Sequence, residues 1–180
     1  MAASKFLSQF AKLVRKNLES TRSDFITLEE EVSRLDLYLS LEKMRFKDKF
    51  DYEVKIDPQI EIHETVLPPM IFQPYVENSI KHGINPLPNG GKILVEIQKR
   101  DDDHLFVRIR DNGIGITASQ AKRANRPQDH VSRGMQITRD RLALFAKMSG
   151  KSHEVETREI ENPDGTIGGT EVTMLLPLQH

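Results

Sequence analysis

Two stretches of the chain combine residue types that could do chemistry. Asp111-Asn112-Gly113-Ile114-Gly115-Ile116 follows a run in which Leu105, Val107 and Ile109 alternate with polar residues, so the chain reaches Asp111 as a half-buried strand. Gly113 and Gly115 let backbone approach something flat or charged without interference from a Cβ. A carboxylate fixed at the end of a strand accepts from an amino group, and a ligand with an exocyclic amine on a flat ring would suit it. Asp-Asn-Gly is also an ordinary turn sequence, and taken alone that is the commoner reading.

The second stretch is Pro74-Tyr75-Val76-Glu77-Asn78-Ser79-Ile80-Lys81-His82-Gly83. On a helix Asn78 and Lys81 are surface neighbours. A carboxamide oxygen is a neutral, hard ligand suited to Mg²⁺, which takes its remaining ligands from water and phosphate oxygens. The Lys81 ammonium, one turn on, can meet a phosphate as a point charge. Each also has a plainer role: Asn78 as a surface amide, and His82 as a helix C-terminal cation favoured by the dipole rather than a nucleotide contact. Farther along, Ser132-Arg133-Gly134-Met135 opens a helix, and a helix beginning at a glycine-containing loop offers free N–H groups to phosphate. Arg133 and Arg139 could add charge there or simply be solvated. Thr170, after Gly168-Gly169, could bond a ligand or serve as an ordinary strand residue.

The elements that must position these residues follow from periodicity. Residues 4–46 read as helix in two pieces, broken by Ser20-Thr21-Arg22-Ser23-Asp24. The first carries Phe6, Leu7, Phe10, Leu13, Val14 and Leu18 at helical spacing. The second opens with a capping box, Thr27 and Glu30, and its stripe, Leu28, Val32, Leu35 and Leu39, wants a partner helix or a sheet face. Core packing and a dimer seam both satisfy it. Phe50, Tyr52, Val54 and Ile56 change the period to two, and a further short strand is possible at Ile60–Ile62. A helix is expected from about Met70 to Lys81, with Pro74 tolerated in its first turn. Ile93, Val95 and Ile97 make the next strand and Leu105 to Ile109 its return; Asp101-Asp102-Asp103 between them is a solvated hairpin tip rather than a metal site. Residues 117–133 lack an apolar period, and a structureless span of that length is more often a functional lid than an accident. A helix marked by Ile137, Leu142, Leu144, Phe145 and Met148 then runs to Gly150. A final hairpin turns at Asn162-Pro163-Asp164-Gly165 between Val155–Ile160 and Val172–Leu176.

Length and composition set bounds. A chain of 180 residues holds one substantial domain and a smaller helical appendage. The boundaries expected are a helical segment at 1–47 and a second unit at 48–180. A net charge of −1 gives no global field for nucleic acid, and none is expected as a partner. The absence of cysteine excludes disulfides, thiolate catalysis and cysteine-based metal sites. No apolar run approaches the ~20 residues that span a bilayer, and no signal peptide opens the chain, so it is expected to be soluble. The element order suggests an α/β sandwich: a mixed, mostly antiparallel sheet with helices on one face, preceded by a helical segment.

The stretches at 74–83 and 111–116 resemble the N box and G1 box of the Bergerat, or GHKL, ATP-binding fold shared by sensor histidine kinases, gyrase, the heat-shock chaperone ATPases and mismatch-repair ATPases. Leu28-Glu29-Glu30-Glu31-Val32, Tyr38-Leu39, Leu41-Glu42 and Arg45-Phe46, with Gln73-Pro74-Tyr75-Val76-Glu77-Asn78-Ser79-Ile80-Lys81-His82-Gly83, are similar to the "LxxEL", "YLxIExxRF" and "QPLVENAIKHG" runs of LytS-type sensor histidine kinases. The resemblance implies that ATP is bound with Mg²⁺ on Asn78, Lys81 and His82 near the phosphates, Asp111 accepting from the adenine amine, and Gly113, Gly115 and Ile116 beside the ring. It places Arg133, Gly134 and Met135 at the phosphate loop and Thr170 near the adenine. Four departures stand out. Pro74 occupies the place of the gyrase-type catalytic glutamate, leaving Glu77 as the candidate base. Ser132-Arg133-Gly134-Met135 replaces Gly-x-Gly-Leu, and Ile137 stands where an asparagine is expected. None of His63, His82, His104, His130, His153 or His180 sits in the family's Pro-His-Phe phosphoacceptor motif. The expectation is a cytoplasmic part of a kinase anchored in the bacterial inner membrane, a homodimer when whole. It would transfer the γ-phosphoryl of ATP to a histidine on its own dimerisation helix and then to a response regulator, of LytTR type, while being unable to phosphorylate itself at the usual site. A stand-alone ATPase switch and a nucleotide-free interaction module are the alternatives.

Overall fold

Thr27 fixes where the main helix of the chain begins. In the computed structural model, which describes residues 2–20, 23–124 and 133–179, its hydroxyl accepts from the Glu30 N–H at 3.2 Å. The Glu30 carboxylate accepts from the Thr27 N–H at 2.9 Å, the reciprocal bonds of a capping box. From that cap, α2 runs Leu28–Arg45, while α1 occupies Ala2–Ser20 before it. The two residues preceding α2, β1 (Ile26–Thr27), pair antiparallel with β3 (Val66–Leu67) in a small separate sheet.

The main sheet has the order β2-β4-β5-β7-β6, formed by Phe50–Ile56, Gly91–Lys99, His104–Asp111, Ile167–Pro177 and Glu154–Glu161 for β2, β4, β5, β7 and β6 respectively. β2 lies parallel to β4; every other pairing is antiparallel. Period-two alternation puts Ile93, Val95, Ile97, Leu105, Val107, Ile109, Val172, Met174 and Leu176 on one buried face. Against it pack Leu28, Leu35 and Leu39 of α2 together with Phe72, Tyr75, Val76, Ile80 and Ile84, so the helical segment shares one core with the sheet. The opposite face is polar: Arg108, Arg110 and Arg158 surround the buried carboxylate of Glu171. Register matters most at one end of β5, where Asp111 stands opposite Ile93 of β4 and Thr170 of β7.

Several expectations change. Ile60–Ile62 is turn rather than strand, and the short pairing falls instead at Val66–Leu67, where β1 supplies a partner no local pattern announces. The helix expected over 70–81 starts later, as α3 (Gln73–Asn78), and continues as a π-helical segment, Ser79–Ile84. The span expected to lack structure begins with α4, Ile116–Ala124; residues 125–132 lie outside the described ones. In α5 (Arg133–Ser149) the expected stripe is split: Leu142 and Phe145 are buried, whereas Ile137, Leu144 and Met148 are exposed. On α1 only Leu13 of the named apolar residues is buried; Leu7, Phe10, Val14 and Leu18 face outward.

Candidate functional site

Tyr75, Ser79 and His82 recur at helical spacing and so share one face of α3 and its π-helical continuation. That face forms one wall of a cavity of about 370 Å³. Met135, Gln136 and Arg139 of α5 form the facing wall; Ile116, Ser119 and Gln120 of α4 close a third side, and Asp111, Thr157, Thr170 and Val172 of the sheet make the floor.

Asp111 is the chemical centre of this floor. Its side chain is only 4% exposed, because glycines crowd it. A Cβ on Gly83 would sit 2.8 Å from Asp111 Oδ1, and one on Gly169 would sit 1.8 Å from the Asp111 carbonyl oxygen. Asp111 Oδ1 accepts from the Gly113 N–H at 2.9 Å, and the Ser79 hydroxyl and the Thr170 N–H lie close enough to favour the charged carboxylate. Burial raises the Asp111 pKa above its ordinary 3.8, with the Ser79, Gly113 and Thr170 donors opposing the rise. The turn that follows is locked from outside the cavity. Asn112 Oδ1 accepts from the Lys92 N–H at 2.6 Å, and its Nδ2 donates to the Gly90 carbonyl at 3.0 Å. Ile114 N–H donates to the Gly83 carbonyl at 3.2 Å, so the π-helical turn and the glycine turn hold each other. Glu159 of β6 meets the Thr117 N–H at 2.7 Å and fixes the start of α4.

A carboxylate held this way accepts from an amine, and pH should tell. Between the unfolded and the raised folded pKa the native state binds more protons. The unliganded protein therefore loses stability as pH rises through that window, and the deficit is complete above the folded pKa. Binding an amine donor needs the ionised form, so affinity is expected to fall on acidification at a pH above the usual carboxylate range. Calorimetric titration of an adenine nucleotide between pH 4 and 8, on the wild type and on Asp111→Asn, checks this; a flat wild-type profile would refute it.

The residues expected from the sequence divide by location. Asn78, His82, Asp111, Gly115, Ile116, Met135 and Thr170 line the cavity together. Glu77 and Lys81 form an ion pair with each other, one turn apart, and face Tyr38 and Glu42 of α2 rather than the cavity. Gly113 is packed on Gly83, where a Cβ would lie 2.3 Å from the Gly83 Cα. Gly134 is exposed in the first turn of α5, and the Arg133 side chain lies outside the described residues. Other lining residues carried no chemical signal in the sequence. Ser79 reads there as a small residue in a helix and Thr157 as a strand residue. Tyr75 reads as core, and it is 2% exposed; it nonetheless borders the cavity, with Arg139 near its hydroxyl. Only the fold brings these side chains together.

Comparison with known proteins agrees with this geometry. Residues 66–180 match the family model described as histidine kinase-, DNA gyrase B-, and HSP90-like ATPase, and residues 1–50 match one described as histidine kinase. The sensor protein LytS of Staphylococcus epidermidis is 36% identical over 118 residues, 66% of this chain and 20% of the relative. The sensor histidine kinase/phosphatase LytS of Staphylococcus aureus is 27% identical over 179 residues, 99% of this chain and 29% of the relative. The chain thus spans between a fifth and under a third of the length of the curated relatives it matches. Among solved structures, the mycobacterial sensor histidine kinase MprB superposes with a TM-score of 0.56 at 19% identity, covering 86% of this chain and 97% of that one. The histidine kinase ThkA, solved in complex with the response regulator protein TrrA, gives 0.52 at 15% identity, covering 97% and 48%; both share the fold. With its Asp111 floor, its Asn78 helix and this family match, the chain belongs to the histidine kinase-, DNA gyrase B-, and HSP90-like ATPases, among the LytS-type sensor kinases.

Proposed function

We propose that the cavity binds ATP and that the chain is the ATP-binding catalytic part of a two-component sensor histidine kinase. The buried Asp111 carboxylate carries the reading: it is an acceptor at the floor of a cavity whose mixed polar and apolar lining includes Ile116, Met135 and Val172, which suits a flat base with an exocyclic amine. Asn78 is half-buried on the wall. Among the described residues no cluster of three or more His, Cys, Asp or Glu could hold a metal ion. One carboxamide fits Mg²⁺ that arrives with phosphate and keeps its own waters, since such sites need only one or two protein ligands. When bound, ATP with Mg²⁺ supplies the phosphoryl group. The protein's own share is to accept the base at Asp111 and Ser79, to present His82 and the α5 N-terminus, and to hold Asn78 toward the metal. Lys81 is the candidate phosphate contact and Glu77 the candidate base once their ion pair on the α2 side opens and both turn toward the cavity.

In the whole protein the phosphoryl acceptor is a histidine outside this sequence, on the dimerisation helix of a homodimer, and the next acceptor is an aspartate of a response regulator of LytTR type. The whole kinase is anchored in the bacterial inner membrane with this part in the cytoplasm; no helix among the described residues is long and apolar enough to cross a membrane. Without the acceptor motif, the chain alone should not become phosphorylated on histidine.

Asn78→Ala separates the metal from the base. In Mg²⁺ it should weaken ATP binding by about tenfold, while binding without Mg²⁺ stays as in the wild type. Calorimetric titration in Mg²⁺ and in chelator measures both, and equal losses in the two conditions would remove Asn78 from the metal.

A further inference from the structure

Helix α3 has no cap of its own. Its N-cap residue, Phe72, makes no side-chain cap bond; Pro74 in its first turn has no N–H, and the Tyr75 N–H donates to the Phe72 carbonyl at 3.2 Å. The loop that leads into it is held from another helix. Glu31 of α2, 1% exposed, takes the N–H groups of Met70 at 3.0 Å, Ile71 at 2.9 Å and Phe72 at 3.2 Å, and also pairs with Arg34, one turn along α2. Met70 is held at a φ of 62°, a conformation that ordinary side chains disfavour and that the three bonds to one carboxylate keep in place. The same loop is tied on its other side: Arg141 of α5 donates to the Pro69 carbonyl at 2.9 Å. Burial and the nearby Arg141 lower the Arg34 guanidinium to about 10, so α2 and α5 bring their charges together around this one loop.

The loop 69–72 is therefore where both walls of the cavity are anchored. Downstream of it, α3 carries Tyr75 and Asn78 and its π-helical continuation Ser79 and His82; Arg141 lies two residues beyond Arg139 on the facing wall. We infer that Glu31 is a positioning residue for the cavity: its carboxylate holds the loop that leads into α3, so that these three bonds set the spacing of the two walls and hence nucleotide affinity. The inference rests on the ATP-binding reading above. Because coupling is reciprocal, ligand in the cavity must in turn tighten the Glu31 bonds.

Glu31→Gln keeps the size and one acceptor oxygen but turns an amide donor toward N–H groups that need acceptors. Calorimetric ATP titrations are run on the wild type, on Glu31→Gln and on Leu39→Ala, which leaves a hole in the core on α2 far from the loop. Amide exchange at Ile71 and Phe72 is followed with and without ATP. Glu31→Gln should bind ATP about fivefold more weakly, whereas Leu39→Ala, equally or more destabilised thermally, keeps wild-type affinity. ATP should slow the Ile71 and Phe72 amides in the wild type and do so less in Glu31→Gln. Wild-type affinity in a folded Glu31→Gln, or equal loss in Leu39→Ala, would overturn the positioning role. Absence of binding by the wild type would instead sink the nucleotide reading and the inference with it. Should Glu31→Gln not fold, Arg141→Gln, which frees only the Pro69 carbonyl, carries the same comparison.

Discussion

Asp111→Asn is expected to weaken ATP binding by roughly 30- to 1,000-fold while leaving the fold intact. The substitution is nearly isosteric, and an asparagine oxygen can still accept from the Gly113 N–H that Asp111 Oδ1 holds at 2.9 Å. What changes is the other oxygen, the one left for a ligand amine. It becomes an NH₂, a donor facing a donor on a residue that is 4% exposed. A buried polar group without its partner, together with the lost charge-assisted bond, amounts to about 2 to 4 kcal/mol, or roughly 30- to 1,000-fold in affinity. Stability should hold or rise slightly, because burial already disfavours the ionised Asp111 in this site. Calorimetry gives the affinity and a thermal melt gives the fold. A folded Asp111→Asn that binds ATP as the wild type does would place the base elsewhere.

Gly169→Ala should be the most damaging single methyl in the protein. Gly169 has a φ of 133°, outside the range open to alanine, and it sits where the pairing of β6 with β7 shifts register between Ile160 and Glu161. Its Cβ would meet the Asp111 carbonyl oxygen at 1.8 Å and the Asn112 Cα at 2.8 Å. These obstacles are backbone and cannot swing away, unlike the far end of a side chain. Either β5 and β7 part at the cavity floor or the bulge is rebuilt, and both routes cost about 4 kcal/mol or more. Denaturant unfolding would register this as a large drop in midpoint. A loss under about 1 kcal/mol would mean that the strands separate there without consequence and that Asp111 is not held as described.

What the sequence reveals and what it hides follow the range of the interactions. The Thr27 and Glu30 box is readable because donor and acceptor lie three residues apart. The strand alternation through Val107 and Ile109 is readable because one face of the sheet is buried throughout, and it delivers Asp111 to the correct end of β5. The fold class follows from the same patterns with the boxes at 74–83 and 111–116. The π-helical turn at Ser79–Ile84 is not readable, since the apolar spacing of Ile80 and Ile84 suits an α-helix equally, and the packing of its Gly83 on Gly113 is a long-range contact. The β1–β3 pair is only two residues long, too short to carry a period. α4 lacks an apolar stripe because it lies beside the cavity, with Ile116, Ser119 and Gln120 turned to it. The hold of Glu31 on the loop before α3 joins residues about forty apart, and no local pattern announces it.

The most direct measurement is an amide chemical-shift map of the protein titrated with ATP and Mg²⁺. The cavity assignment predicts saturable changes concentrated at Ser79, His82, Gly113, Gly115 and Thr170, with binding between about micromolar and sub-millimolar, roughly −5 to −8 kcal/mol. A folded sample whose spectrum is unchanged, or whose changes gather on the open face around Glu171 instead, would contradict it.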